Sequence, residues 1–101
     1  MGVKEIRFVE DIRDNYANYS KEIKSFCEKI ETCNDTIEKG LKDLGKAWSS
    51  DGYRSCAESI KKKINKIEDE ISKANGLSEK LDTHVSKLKI ILEKLDSAGD
   101  N

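Results

Sequence analysis

Three cysteines and one histidine are the residues of this chain that could bind a metal ion. Cys27, Cys33, Cys56 and His84 together resemble the four-ligand sets that zinc prefers. Their spacing argues against such a site, because in a helical hairpin Cys33 and Cys56 would lie roughly 18 Å apart at about 1.5 Å per residue. Cys27 and Cys33, six residues apart on one helix, point in different directions. We therefore predict no metal, no cofactor and no intrachain disulfide, and we assign Cys33 to the core.

No group of side chains has the spacing of a catalytic site. His84 has no serine, cysteine or paired carboxylate placed for nucleophilic catalysis, and we interpret it as a surface residue. The carboxylates follow the period of solvated helix faces, and no glycine-rich phosphate loop is present. The sequence therefore predicts a protein that is not an enzyme, with an enzyme or a metal-binding regulator as a remote alternative.

The composition favours long helices in one small domain, residues 1–101. The chain contains no proline, 39% charged residues and only 36% hydrophobic residues. Its formal net charge of -1, from 19 basic and 20 acidic residues, gives no electrostatic footprint for nucleic acid. We also expect no membrane insertion, because no apolar stretch approaches the ~20 residues that cross a bilayer. The N-terminus lacks the apolar region of a cleavable signal peptide.

Apolar residues recur in steps of three and four through both halves of the chain, which is the heptad pattern of paired helices. We predict helix 1 at about 4–47, a turn at about 48–52, helix 2 at about 53–96 and a flexible tail at 97–101. The seam of helix 1 is predicted at Val9, Ile12, Tyr16, Tyr19, Ile23, Phe26, Ile30, Cys33, Ile37, Gly40, Leu44 and Ala47. The seam of helix 2 is predicted at Tyr53, Ala57, Ile60, Ile64, Ile67, Ile71, Ala74, Ser78, Leu81, Val85, Leu88, Leu92 and Leu95.

The two helices are joined by a short cluster of loop-forming residues. Ser49, Ser50 and Asp51 are all favourable N-caps, and Gly45 and Gly52 offer backbone freedom on either side. Short connections produce antiparallel neighbours, so the predicted fold is an all-α antiparallel two-helix hairpin with a heptad seam. Folding at this turn places Ile23 near Ser78.

Several apolar residues lie beside the predicted seam, where the hairpin alone does not use them. These residues are Phe8, Leu41, Trp48, Leu77, Ile90 and Ile91. A hairpin of this length buries one seam and leaves both flanks of that seam in water. The flanks therefore favour association of two hairpins into a four-helix bundle.

The length, the helical layout and a tryptophan at the central turn resemble the WXG100 (ESAT-6-like) superfamily. The local motif is Trp48 followed by Gly52 and Tyr53, with Leu41 on the same flank as Trp48. The Trp-x-x-x-Gly spacing looks like that of divergent WXG-like proteins, including the small helical partners of LXG-domain toxins. The resemblance implies that Trp48, Gly52, Tyr53 and Leu41 form the turn motif and a partner contact. The alternative is that Trp48 only closes the end of the hairpin.

The resemblance also implies a role in type VII secretion. Such proteins are made in the bacterial cytoplasm and secreted without a cleavable signal peptide, as dimeric factors or as helical targeting partners of larger effectors. The expected partners are a second copy, a paralogous hairpin, an LXG-type effector and the type VII ATPase. Leu92 and Asp96 are the nearest equivalent of the family's export signal, although the same residues also read as the end of a heptad helix. The alternative function is a cytosolic coiled-coil adaptor or structural interaction module unrelated to secretion.

Overall fold

The protein is a hairpin of two long α-helices. The computed structural model describes residues 2–48 and 50–99, with side chains as far as residue 97. Helix α1 spans Val3–Ala47 and helix α2 spans Asp51–Gly99, and no strand occurs among the described residues. The predicted all-α two-helix hairpin is confirmed.

Helix α2 begins two residues before its predicted start at residue 53. The Ser50 Oγ accepts a hydrogen bond from the Tyr53 N–H at 3.2 Å, and the Ser50 carbonyl accepts one from the Arg54 N–H at 3.1 Å. Ser50 is therefore the N-cap among the three predicted candidates, and Asp51 and Gly52 already belong to the first turn. Ser49 lies outside the described residues.

The far end of α2 also differs from its predicted boundary. The helix was expected to stop at residue 96 and to be followed by a flexible tail at 97–101, but it continues to Gly99. No proline and no glycine stands between Gly76 and Gly99, so nothing in this segment interrupts the backbone hydrogen bonds. Residues 100 and 101 lie outside the part of the chain that the structure describes.

The chain divides into two compact units. The turn unit comprises Ser25–Ala74, which includes the connection between the helices. The end unit comprises the residues up to Lys24 together with those from Asn75 onwards. Each unit has its own buried seam.

The seam of α2 follows its predicted positions. Buried side chains in the turn unit are Ala57, Ile64 and Ile71, and those in the end unit are Ser78, Val85 and Leu92. The other predicted positions are half-buried, apart from Ile67, which is 40% exposed. Spacing in steps of three and four therefore located this face correctly.

The seam of α1 was predicted only in part, because one of its two stripes is displaced by one residue. We call one of these stripes the middle stripe, which consists of Val9, Tyr16, Ile23, Ile30, Ile37 and Leu44. Its first four residues are half-buried, and the last two are exposed. The buried residues of α1 are Ser20, Cys27, Asn34 and Leu41, which we call the inner stripe. The other predicted positions lie one residue earlier in the sequence than the inner stripe. We call them the outer stripe, which consists of Ile12, Tyr19, Phe26, Cys33, Gly40 and Ala47. Of these, Tyr19 and Phe26 are 60% and 65% exposed.

The displaced stripe has a steric cause. Helix axes approach to about 8–10 Å only where the side chains between them are small enough. Ser20 meets that condition, because its Oγ lies 2.8 Å from the Ser78 Oγ on α2. Tyr19 and Phe26, one residue before Ser20 and Cys27, carry aromatic rings that would hold the helices farther apart.

This displacement corrects two predictions about single residues. Cys33 was assigned to the core, but its side chain is exposed, and Cys27 is the buried cysteine. Leu41 was placed on an unused flank, but its side chain is only 7% exposed and belongs to the seam of the turn unit. Both corrections follow from the inner stripe facing α2.

A polar cluster joins the two helices of the end unit. The Ser20 Oγ donates to the Asp82 Oδ1 at 2.6 Å, and the Lys24 Nζ lies 2.6 Å from the Asp82 Oδ2. Ser20 and Ser78 are almost completely buried, at 2% and 0% exposure. Ile23 was predicted to lie near Ser78, but the residue opposite Ser78 is Ser20, three residues earlier on α1.

The stability of the hairpin should depend on Asp82 in acid. Hydrogen bonds from Lys24 and from Ser20 hold the pKa of Asp82 below its ordinary value of 3.8. A depressed folded-state pKa contributes stability above the unfolded pKa, and that contribution is lost as the pH falls through the folded value. We expect thermal unfolding of the wild type to lose more stability below pH 3.8 than that of Asp82→Asn. Equal losses in the two proteins would show that the cluster does not form in solution.

Candidate interaction surface

Trp48 lies at the end of α1 and packs against Tyr53 in the first turn of α2. The backbone N–H of Trp48 donates to the Leu44 carbonyl at 2.8 Å, which closes the last turn of α1. The indole and the Tyr53 ring are 5.8 Å apart between centroids and inclined at 53°. Trp48 nevertheless remains 52% exposed, so about half of its surface is in contact with water.

Tyr53 connects the two helices beside the turn. Its hydroxyl donates a hydrogen bond to the Leu41 carbonyl on α1. Gly45 makes room for the ring, because a Cβ at that position would lie 2.7 Å from the Tyr53 hydroxyl oxygen. Gly45 therefore serves close packing and not the predicted backbone freedom, and its φ is not positive.

Tyr53→Phe should lower the free energy of unfolding by about 0.5–1.5 kcal/mol, because the hydrogen bond to the Leu41 carbonyl is lost. Tyr19→Phe is the matched control, since Tyr19 is 60% exposed and should leave stability unchanged. Urea unfolding followed by circular dichroism compares the three proteins. An unchanged midpoint for Tyr53→Phe would mean that water replaces the tyrosine at that carbonyl.

Gly52 has no special conformation in the turn motif. It lies in the first turn of α2 without a positive φ, which corrects the predicted backbone freedom at this position. A Cβ there would meet only the Ser50 Oγ, at 3.7 Å, which is an ordinary contact. Within the hairpin, the residues that shape the connection are therefore Gly45, Ser50 and Tyr53.

The two candidate export residues lie in different environments. Both belong to α2 in the end unit, where Leu92 is buried at 7% exposure and Asp96 is exposed. While the hairpin is closed, a receptor can contact Asp96 but cannot reach the side chain of Leu92.

One side of the turn unit carries a row of exposed apolar side chains. Phe26 of the outer stripe is 65% exposed, and Ile37 and Leu44 of the middle stripe are 44% and 53% exposed. Ile67 on α2 adds a further exposed residue at 40%. We call these four residues the apolar side of the turn unit.

The other side of the turn unit is polar. A groove beside the buried Leu41 and the half-buried Tyr53 is lined by charged and amide side chains. These side chains are Glu38, Lys42, Lys61 and Asn65. The turn unit therefore has two unlike sides, one suited to an apolar partner and one suited to water.

The end unit shows the same division. Tyr19, Leu77 and Ile91 expose 60%, 52% and 46% of their surfaces. His84, which is also exposed as predicted, makes an edge-on contact with Tyr16 at 6.1 Å between ring centroids. The ion pair of Lys24 with Asp82 lies beside the inner stripe instead. Phe8 and Ile90, two other residues predicted to be unused, are also exposed.

The predictions about metal binding and membrane insertion concern side chains and helices in the described part of the chain. No group of three or more histidine, cysteine, aspartate or glutamate side chains there is placed to hold a metal ion, and all three cysteines are free. Within the same part of the chain, neither helix has a segment apolar enough to span a bilayer.

Comparison with known proteins gives no relative. The chain matches no family model, no curated protein and no solved structure. The WXG100 resemblance stays a prediction from the length, the helical layout and the residues at the turn.

Proposed function

We propose that this protein is a non-enzymatic pairing module, a WXG100-like hairpin of a type VII secretion system. It acts as a secreted dimeric factor or as a helical targeting partner for a larger effector. The single observation that supports pairing is the outer stripe of α1. A helix with apolar residues on three adjacent stripes has more apolar surface than one neighbour can bury.

The proposed partner surface is the apolar side of the turn unit, whereas Trp48 packs against Tyr53 at the turn. Phe26, Ile37, Leu44 and Ile67 are all at least 40% exposed in the single chain. Burial of such side chains stabilises a complex by about 25 cal/mol for each Å² of apolar surface removed from water. A second helical hairpin, completing a four-helix bundle, is the simplest structure that covers this side.

A coiled-coil adaptor unrelated to secretion is the alternative function. Two observations favour it, namely the ordinary helical conformation of Gly52 and the burial of Leu92. In that case the apolar side still binds a helical partner, but the exporter plays no part.

Export separates the two functions. The epitope-tagged chain should appear in the culture medium of the bacterium that encodes it, and should remain inside cells that lack the type VII ATPase. Phe26→Ser should reduce export if the apolar side binds the targeting partner, whereas Ile90→Ser, which alters an exposed residue elsewhere, should not. Intracellular retention in both strains would favour the adaptor.

A further inference from the structure

The apolar side of the turn unit contains an open groove of about 330 Å³ between the two helices. Phe26 forms one wall, and Ile67 on α2 forms the other. The apolar lining consists of Phe26, Cys27, Ile30, Ile67, Ile71 and Ala74. A small-molecule site of this size would also need a few convergent polar groups to orient its ligand. A groove lined in this way fits apolar side chains that project from another helix.

Charge is divided unevenly between the two sides of the turn unit. The charged residues beside the outer stripe of α1, or on the flank of α2 next to Ile67, are Lys29, Asp43, Lys63, Lys66, Glu70 and Lys73. Both acids in this set form ion pairs with lysines. The Asp43 Oδ1 lies 3.8 Å from the Lys46 Nζ, and the Glu70 Oε1 lies 3.3 Å from the Lys73 Nζ. No described residue forms an ion pair with the other three lysines of the set.

The opposite side of the turn unit is acidic. By helical spacing its charged residues are Glu28, Glu31, Asp35, Glu38, Lys42, Arg54, Glu58, Lys61 and Glu68. Lys66 and Glu70 are the two charged residues that line the groove, and Glu70 pairs with Lys73. The remaining lysines of the set, Lys29 and Lys63, lie on the same side, whereas most of the carboxylates of the turn unit lie on the other. Potentials of opposite sign on the two sides select both the side that a partner binds and the charge that it must carry.

We infer that this groove binds an amphipathic helix of a different chain, whose apolar stripe is flanked by aspartate or glutamate. Lys66 borders the groove, Lys63 lies three residues before Lys66, and Lys29 lies three residues after Phe26, so all three are neighbours of the groove at helical spacing. A second copy of this chain would present the same excess of lysine beside its own apolar stripe. The inference rests on the proposed pairing function and specifies the chemistry of the partner.

Two synthetic helical peptides test the charge of the partner. They share one leucine stripe over four heptads, flanked by Glu in one peptide and by Lys in the other. Calorimetric titration into the full chain at low salt should give at least about tenfold tighter binding of the Glu peptide, and salt should reduce that preference. The double variant Lys63→Glu and Lys66→Glu should bind the Lys peptide more tightly than the Glu peptide. The double variant Lys42→Glu and Lys61→Glu, on the opposite side, should keep the preference for the Glu peptide.

A second variant locates the binding site. Phe26→Ser should abolish binding of the Glu peptide, while Ile90→Ser should bind it as the wild type does. Equal affinity for the two peptides, or binding that survives Phe26→Ser, would overturn the inference. If neither peptide binds but the chain self-associates in sedimentation and Phe26→Ser makes it monomeric, pairing stands and the acidic partner is wrong. If neither peptide binds and the chain is monomeric, the inference and the pairing function both fail.

Discussion

Leu41→Ala is expected to lower the free energy of unfolding by about 2–5 kcal/mol, because it removes a buried leucine and leaves a cavity in the seam. Phe26→Ala should change it by about 0.5 kcal/mol or less, although it removes a larger side chain. The difference follows from exposure, since Leu41 is 7% exposed and Phe26 is 65% exposed. Urea unfolding at low protein concentration, followed by circular dichroism, measures both values without a contribution from association.

This pair of variants distinguishes the two possible seams of α1. If the outer stripe faced α2, as the heptad pattern predicted, Phe26→Ala would cause the large loss and Leu41→Ala the small one. The opposite ranking supports the inner stripe. Ile64→Ala is a suitable reference for a fully buried seam residue, because Ile64 is 2% exposed on α2.

Asn34→Leu is expected to raise the free energy of unfolding by about 1–3 kcal/mol. Asn34 lies on the inner stripe at 4% exposure, and its Nδ2 has no hydrogen-bond partner. A buried donor without an acceptor incurs its full desolvation cost, and leucine of similar shape removes that cost. The shift of the urea midpoint relative to the wild type measures the gain.

Asn18→Leu is the control for this substitution. Asn18 is exposed on the same helix, so leucine there should leave the midpoint within about 0.5 kcal/mol of the wild type. A loss of stability in Asn34→Leu would show that the amide finds an acceptor in solution. Paired helices often retain a buried asparagine because it specifies register, at a cost in stability.

The fold and one of its two faces could be predicted from the sequence. Without proline, and with apolar residues in regular steps of three and four, both halves had to be helical. Helix α2 has one clear apolar face, because its neighbouring positions are mostly charged or small. Its seam was therefore predicted residue by residue, including the polar Ser78.

The seam of α1 could not be chosen by periodicity. Tyr19 and Phe26 continue the apolar pattern, whereas Ser20 and Asn34 interrupt the alternative, so a hydrophobicity criterion selects the outer stripe. The structure selects the inner stripe because Ser20 and Ser78 allow close approach and hydrogen-bond to each other. The signal that could have identified this face is the matching pair of small polar residues at equal distances from the turn.

The position of the turn and its cap were predicted, but the contacts that hold the two helices together there were not. Ser50 was correctly among the candidate caps. The role of Gly45 depends on the Tyr53 ring, which belongs to the other helix and packs back across the turn, so it required the structure. The secretion role, the partners and the export residues remain predictions from the resemblance.

The most direct test of the partner surface is the reactivity of Cys33 in living cells. Cys33 is exposed on the outer stripe, and Glu68→Cys places a reference thiol at an exposed position on the acidic side. In the dilute purified chain carrying Cys56→Ser, which removes the other exposed thiol, a maleimide should label Cys33 and the reference thiol at similar rates. In cells, coverage of the apolar side by a partner predicts at least about tenfold slower labelling of Cys33, with the reference unaffected. Equal labelling of the two thiols in cells would contradict the proposed partner surface.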